Sequence, residues 1–217
     1  MLVLASSSPR RRMLLEKWGY EFERIEASVS ENLPASAKAS LGVRILAGRK
    51  AQAGLKYWLE IAGTPEVVVL GSDTMVVLDG EALGKPGNPK EAVMMLKRLS
   101  GREHSVLTGV ALARIGKLES FVVETKVRFR ELSQTEIERY VASGEPLDKA
   151  GAYGIQGPAK AFVASYDGSL TNVIGLPMEH VEERLKAWGI EHKDIASRGV
   201  TYGLPEIEGS PRGDVSP

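Results

Sequence analysis

Three serines, a proline and three arginines stand together at Ser6-Ser7-Ser8-Pro9-Arg10-Arg11-Arg12, directly after a short apolar run from Met1 to Ala5. Read as a strand running into a helix, this junction suits an anion. Pro9 fits a first helical turn, where its missing N–H would be unpaired anyway, and the serines can cap the helix or bond a ligand. Backbone N–H groups at a helix start attract phosphate oxygens, and first-turn arginines such as Arg11 add forked donors. The same residues also make an ordinary solvated helix start. No G-x-x-x-x-G-K-[ST] occurs in the chain, so a P-loop kinase or GTPase is excluded at the motif level.

A carboxylate and further cations recur beside expected breaks in structure. Glu66-Val-Val-Val-Leu70 is a β-branched run typical of a central strand buried on both faces. It meets Gly71-Ser72-Asp73-Thr74, which reads as a break before Met75-Val-Val-Leu78 resumes the strand. Ligands of open α/β sheets bind beyond the carboxyl ends of strands, so Asp73 is placed to hold a divalent metal or orient a water; the bland reading makes it a turn residue. Asp79, in Asp79-Gly80, is better read as a hairpin turn. Lys50, Lys85 and Lys149 are the other cations near breaks, and Glu31 is an acid in a polar loop. A nucleoside triphosphate carries roughly four negative charges, so its site needs several cations and usually Mg²⁺. Each lysine by itself reads as a solvated side chain. Only their convergence would make a site.

The elements that must bring them together are legible in outline. Arg10 to Trp18 reads as a helix closed by Gly19, and Glu21 to Ile25 as a second strand. A longer helix runs from Ala37 to about Ala62, with Leu41, Ile45, Leu46, Leu55 and Leu59 at helical spacing and room for a break at Gly54. A helix follows Asn88-Pro89 as far as Leu99, then strands from His104 to Ile115 and Glu119 to Arg130. Ser133 and Glu136 spell a capping box. After an irregular glycine-rich stretch from Gly144 to Pro158, short strands are expected around Ala161–Ser165 and Asn172–Ile174, then a last helix from Met178 to about Trp188. Interleaved strands and helices without a second core or repeat indicate one α/β unit over residues 1–190. Residues 191–217 mix Gly, Pro and charge and read as a flexible tail.

Composition narrows the partners. Lys plus Arg and Asp plus Glu each number 28 in 217 residues, so no global field exists to hold a polyanion such as duplex DNA. Any anion site must be local. The absence of cysteine excludes disulfides and thiolate metal sites and fits a reducing compartment, and the three histidines are too scattered for a zinc cluster. No apolar stretch reaches membrane-spanning length and the opening is too short for a signal peptide, which points to the cytoplasm, without membrane or nucleic-acid partners.

With these residues collected, the chain resembles the Maf family of nucleotide pyrophosphatases. The resemblance runs from Leu2 to about Trp188 and is carried by Leu-Ala-Ser-Ser-Ser-Pro-Arg-Arg at the start, Gly71-Ser-Asp-Thr74, Gly84-Lys-Pro86, Leu99-Ser-Gly101, Thr108-Gly-Val110, Pro146-Leu-Asp-Lys-Ala-Gly-Ala-Tyr-Gly-Ile-Gln-Gly157 and Asn172-Val-Ile-Gly-Leu-Pro177. It implies hydrolysis of a nucleoside triphosphate to the monophosphate and pyrophosphate, with a divalent metal (Mg²⁺ or Mn²⁺). It also implies a homodimer of elongated α/β domains, each a mixed twisted sheet flanked by helices with two lobes around a cleft, similar to inosine triphosphatases. Carried over by motif, Ser6, Arg11, Lys50 and Lys85 resemble the phosphate-binding set, Asp73 the catalytic acid and Glu31 its acidic companion at the metal. Arg10, Thr74 and Gln156 match the branch acting on dTTP and UTP, and by extension modified pyrimidine nucleotides. The 7-methyl-GTP branch has Trp, Gln and Glu there. An amide at Gln156 can both donate and accept toward a pyrimidine edge. Two departures stand out: Arg49 where the family usually has Glu, and Ser30 where it often has an acid. The same chemistry on 7-methyl-GTP, and a non-catalytic nucleotide-binding regulator of cell division, are the alternatives.

Overall fold

The apolar run that opens the chain forms β1 (Leu2–Ala5), buried at every residue. The computed structural model describes residues 1–192 apart from Ala27, Ala35 and Ser36, so the tail expected after Ile190 lies, from residue 193 onward, outside the described residues. Beyond β1 follow α1 (Pro9–Lys17), β2 (Phe22–Ile25), α2 (Ala39–Ala62), β3 (Val68–Leu78), β4 (Glu81–Leu83), α3 (Pro89–Leu99), β5 (Glu103–Arg114), β6 (Lys117–Phe129) and α4 (Gln134–Ala142). Three short 3₁₀ turns over Glu145–Asp148, Ala150–Ala152 and Pro158–Phe162 lead to β7 (Val163–Asp167), α5 (Leu170–Ile174) and α6 (Met178–Ala187). The caps obey local chemistry. Ser8 accepts from the Arg11 N–H with Pro9 behind it, Asn88 caps α3, and Ser133 with Glu136 closes a capping box on α4. Asp79 and Gly80, both at positive φ, turn β3 into β4.

The sheet is seven-stranded and mixed, in the order β2-β1-β3-β5-β6-β7, with β4 also on β3. β1 lies parallel to β2 and β3, and the remaining pairs are antiparallel. On one face α2 packs Val43, Ala47, Ala51 and Trp58; the other buries a continuous core of Leu4, Leu14, Leu70, Leu96, Val110, Phe129, Ile137 and Leu185 under α1, α3, α4 and α6. Each such large side chain contributes roughly 2 kcal/mol of burial. This is a mixed α/β architecture, a twisted sheet flanked by helices, as expected.

Four local expectations fail, the first three for a tertiary reason. Gly71-Ser72-Asp73-Thr74 is no break: β3 runs straight through, because β5 pairs with it continuously from Val69↔Ala113 to Val77↔Ser105. Gly71 serves helix packing instead. A Cβ there would stand 2.5 Å from the Ala47 carbonyl oxygen, and one at Gly109 would meet the Val43 carbonyl, so α2 lies backbone against backbone on the sheet. Gly54 likewise does not interrupt α2; it faces the sheet, where a Cβ would stand 2.7 Å from that of Ala5. Asn172–Ile174 belongs to helix α5 and not to a strand, since Ser169 caps the turn and the Asn172 amide is spent on the Val106 carbonyl and Thr125. Leu41, expected on the buried stripe of α2, is about half exposed at 48%.

One consequence of this topology positions the site. β1 pairs with β3 only as far as Ala5↔Gly71, and β4 takes up the same edge only from Val76↔Leu83. Between them Ser72 to Met75 are paired with β5 on one edge and have no strand on the other, so the sheet carries a notch there with β1, β2 and α1 on one side and β4, α3 and the 3₁₀ turns on the other.

Candidate active site

A cavity of about 600 Å³ opens at the notch. Ser6, Arg10, Arg11, Glu31, Lys50, Asp73, Thr74, Lys85 and Gln156 all line it, so every candidate singled out from the sequence is brought to one place. Ser6 follows directly on β1, α1 begins just after it with Arg10 and Arg11 in its first turn, and β3 supplies Asp73 and Thr74. Lys85 lies just beyond β4, Glu31 in the loop before α2, and Gln156 between two 3₁₀ turns. Asp73 stands beyond the carboxyl end of β1, two residues past the last pair with β3, rather than beyond the end of its own strand.

Strand alternation sends Asp73 and Thr74 to opposite faces of the sheet. Asp73 meets α2, where Lys50 Nζ donates to its Oδ1 at 2.5 Å, both side chains being mostly buried. Gly109, directly opposite Asp73 in register, admits the close helix from which Lys50 reaches. Thr74 meets Arg11. The guanidinium donates from Nη2 to Thr74 Oγ1 (3.1 Å), from Nη1 to Ser6 Oγ (3.3 Å) and from Nε to the Gly175 carbonyl (2.9 Å). Burial lowers the Arg11 pKa to about 10, Asp73 opposes the shift and Arg10 adds to it; the side chain stays charged at neutral pH. Ser6 Oγ also accepts from the Ser8 N–H, so the first turn of α1 is tied down before any ligand arrives.

The cations are not equivalent. Lys85 is exposed and has no carboxylate within ion-pair distance among the described residues, whereas Lys149 is committed to the Glu145 carbonyl and Asp148, each at 2.7 Å. Burial would raise the Asp148 carboxyl, but Lys149 and then Arg10 outweigh it and hold it below its ordinary value. Lys149 therefore shapes the glycine-rich segment, while Lys85 is available to a ligand. Gln156 is exposed and makes no hydrogen bond among the described residues, leaving its amide open.

Several participants carry no signal in local sequence. Thr108 pairs with Thr74 across β5, and Asn172 and Gly175 supply carbonyls from the α5 end. Tyr153 lines the cavity and bonds His104 at 2.8 Å; burial lowers the His104 pKa to about 4 and raises that of the Tyr153 hydroxyl. Arg49 and Ser30, two departures from the family pattern, meet each other. Arg49 Nη1 donates to the Ser30 carbonyl (2.9 Å) and the Asn32 carbonyl (2.7 Å), clasping the loop on both sides of Glu31. Thr108 and Asn172 stood in motifs that carried the resemblance but had no role assigned to them, and Arg49 stood out only as a departure from the family pattern.

Among the described residues no group of three or more His, Asp or Glu side chains gathers to hold a metal. Asp73 and Glu31 do line one cavity, and Asp73 Oδ2 accepts no hydrogen bond from the described residues. A pair of carboxylates fits Mg²⁺, which binds through one or two carboxylates and completes its shell with phosphate oxygens and water.

Comparison with known proteins agrees with the motifs. The chain is 55% identical over 211 residues to the dTTP/UTP pyrophosphatase of Desulfitobacterium hafniense, covering 97% of this chain and 95% of that protein. It is 50% identical over 190 residues to the protein of that name from Symbiobacterium thermophilum (87% and 94% covered) and 46% identical over 191 residues to that of Pelotomaculum thermopropionicum (87% and 96%). A solved structure, the Staphylococcus aureus Ham1 protein, overlaps with a TM-score of 0.35 at 13% identity, over 59% of this chain and 71% of that one, too little to add to the sheet order itself. The model of the Maf-like proteins matches residues 1–188, the whole span from β1 through α6 that builds and backs the notch, and the chain belongs to the Maf family.

Proposed function

We propose that this chain, a nucleoside triphosphate pyrophosphatase of the Maf family, acts on dTTP and UTP with the help of a divalent metal, releasing pyrophosphate and the nucleoside monophosphate. The observation that supports this most is the convergence of Asp73 with Ser6, Arg11, Lys50 and Lys85 on one notch in the sheet. Ser6, Arg11 and Lys85 bind the triphosphate, supplying the several positive charges it requires. Lys50 orients the Asp73 carboxylate through Oδ1, and Oδ2 accepts no hydrogen bond from the described residues. In the hydrolytic step a water oxygen forms a bond to the α-phosphorus, the bond to the α–β bridging oxygen breaks, and pyrophosphate leaves with that electron pair. Asp73 takes the proton of the attacking water, and Arg11, Lys50 and Lys85 offset the charge on the departing group. Asp73 and Glu31 would hold Mg²⁺ or Mn²⁺, which when bound neutralises phosphate-oxygen charge. Arg10, Thr74 and Gln156 read the base; Gln156, with an amide that donates and accepts, is suited to a uracil or thymine edge.

The test is pyrophosphate release from dTTP, UTP, CTP and 7-methyl-GTP, with Mg²⁺, Mn²⁺ or chelator, beside an Asp73→Asn control. Turnover concentrated on dTTP and UTP and lost with chelator is the expected result. Turnover of 7-methyl-GTP instead would overturn the base assignment, undiminished turnover in chelator would remove the metal, and no turnover of any nucleotide would leave the binding regulator as the better account. We place the enzyme in the cytoplasm, where its substrates are made, and expect a homodimer in sedimentation equilibrium.

A further inference from the structure

The hydrogen-bond chain behind Thr74 fixes which way its hydroxyl points. Thr108 Oγ1 lies 3.1 Å from the Asn172 carbonyl oxygen and 3.0 Å from Thr74 Oγ1. A carbonyl can only accept, so the single Thr108 proton goes to Asn172. That carbonyl needs it: the N–H groups of Gly175 and Leu176 both go to the Thr171 carbonyl, and Pro177 has no N–H. Thr108 and Asn172 are fully buried, where an unpaired polar group is costly. Thr108 can therefore only accept from Thr74, which spends the Thr74 proton. On the other side Arg11 Nη2, which can only donate, takes one Thr74 lone pair. The order Arg11 to Thr74 to Thr108 to the Asn172 carbonyl runs in one direction, and Thr74 retains one lone pair and no proton for the cavity.

Resting on the dTTP and UTP reading above, we infer that Thr108, backed by Asn172, makes Thr74 an acceptor-only contact for the base, so that the site selects the imide N3–H of uracil and thymine against cytosine, whose N3 is itself an acceptor. Thr108 is a positioning residue here; it lies behind Thr74 and does not line the cavity. Asn172 is anchored in turn by its amide on the Val106 carbonyl and Thr125 Oγ1, both at 2.9 Å, so the chain has no slack in which to reverse.

The experiment compares kcat/KM for UTP, CTP and N3-methyluridine triphosphate in the wild type, Thr108→Val and Thr108→Ser. Valine keeps the shape but cannot accept, which releases the Thr74 proton toward the cavity. The CTP to UTP ratio should rise about tenfold, the worth of one hydrogen bond made in place of one refused. Thr108→Ser should keep the wild-type ratio, and the wild type should use N3-methyluridine triphosphate at least about tenfold less well than UTP. A Thr108→Val ratio unchanged while both substrates decline together would mean that Thr108 is merely structural and would sink the inference. Equal use of UTP and its N3-methyl analogue by the wild type would do the same, even if Thr108→Val failed to fold. Failure of the underlying reading looks different: a wild type that turns over neither UTP nor dTTP.

Discussion

The two faces of β3 at the notch are equipped in opposite ways. Asp73, on the α2 face, meets a single side chain, Lys50, and keeps its second oxygen open. Thr74, on the other face one residue later, is caught in a chain of bonds drawn from α1, β5 and the end of α5. A group that is to exchange protons has to keep an open valence and tolerate a moving charge, so one oriented partner serves it best. A group that is to discriminate between bases has to be unable to change its donor pattern, and a chain of bonds that ends on a buried carbonyl enforces that. Strand alternation lets one short stretch of β3 serve both ends of the proposed reaction.

The sharpest way to break this contrast is Asp73→Asn. The amide keeps the shape and loses the base, so kcat should fall by about 10³-fold with the melting temperature nearly unchanged. Activity near wild type would take the chemistry away from this face.

The buried face should instead betray itself in stability. His104, on β5 beneath Tyr153, is held neutral down to about pH 4 in the fold, while the unfolded chain takes up its proton near the ordinary 6.5. Its contribution is therefore complete above pH 6.5 and is lost as pH falls toward 4, amounting to about 3 kcal/mol at most. Urea melts at pH 7 and pH 4.5 should show the decline in the wild type and a flatter profile in His104→Gln. A wild-type profile that stays flat over that range would contradict the buried, neutral imidazole.

Arg11 joins the two faces, lowered by burial yet supported by Asp73 while donating to Thr74. Arg11→Lys preserves charge but not the three-way fork, and kcat/KM for dTTP should drop roughly 30-fold, with the loss shared between KM and kcat. A change confined to KM would assign Arg11 to ground-state binding only. The smallest effect is expected at Arg49, whose bonds to the Ser30 and Asn32 carbonyls are solvent-exposed. Arg49→Ala should cost about threefold in kcat and raise the amide hydrogen exchange of the loop around Glu31. Unchanged exchange would leave Glu31 positioned by something other than this clasp.

Much of the fold was written locally. Ser8-Pro9, Asn88-Pro89 and Ser133 with Glu136 start helices where they were expected, because caps are satisfied by residues three positions away. Asp79-Gly80 made its hairpin for the same local reason. The errors came where a glycine or an asparagine answered to a distant neighbour. Gly71 looked like a turn and is a contact point for α2, Gly54 looked like a break and is another, and Asn172 looked like strand and is bound into a helix end by Val106 and Thr125.

The residue types at the site were legible as well: serines and arginines at a helix start, an acid after a buried strand, scattered lysines. The sequence by itself determined what each could donate, accept or hold, since that is a property of the side chain. Whether they meet was decided only by the tertiary structure, because convergence depends on β1 stopping at Ala5 while β3 continues past it, and on two glycines that let α2 close on the sheet. The direction of the Thr74 hydroxyl is further still from the sequence. It follows from a proline that lacks an N–H, a carbonyl left over at a helix end and a threonine on the neighbouring strand, brought within hydrogen-bond reach by the fold.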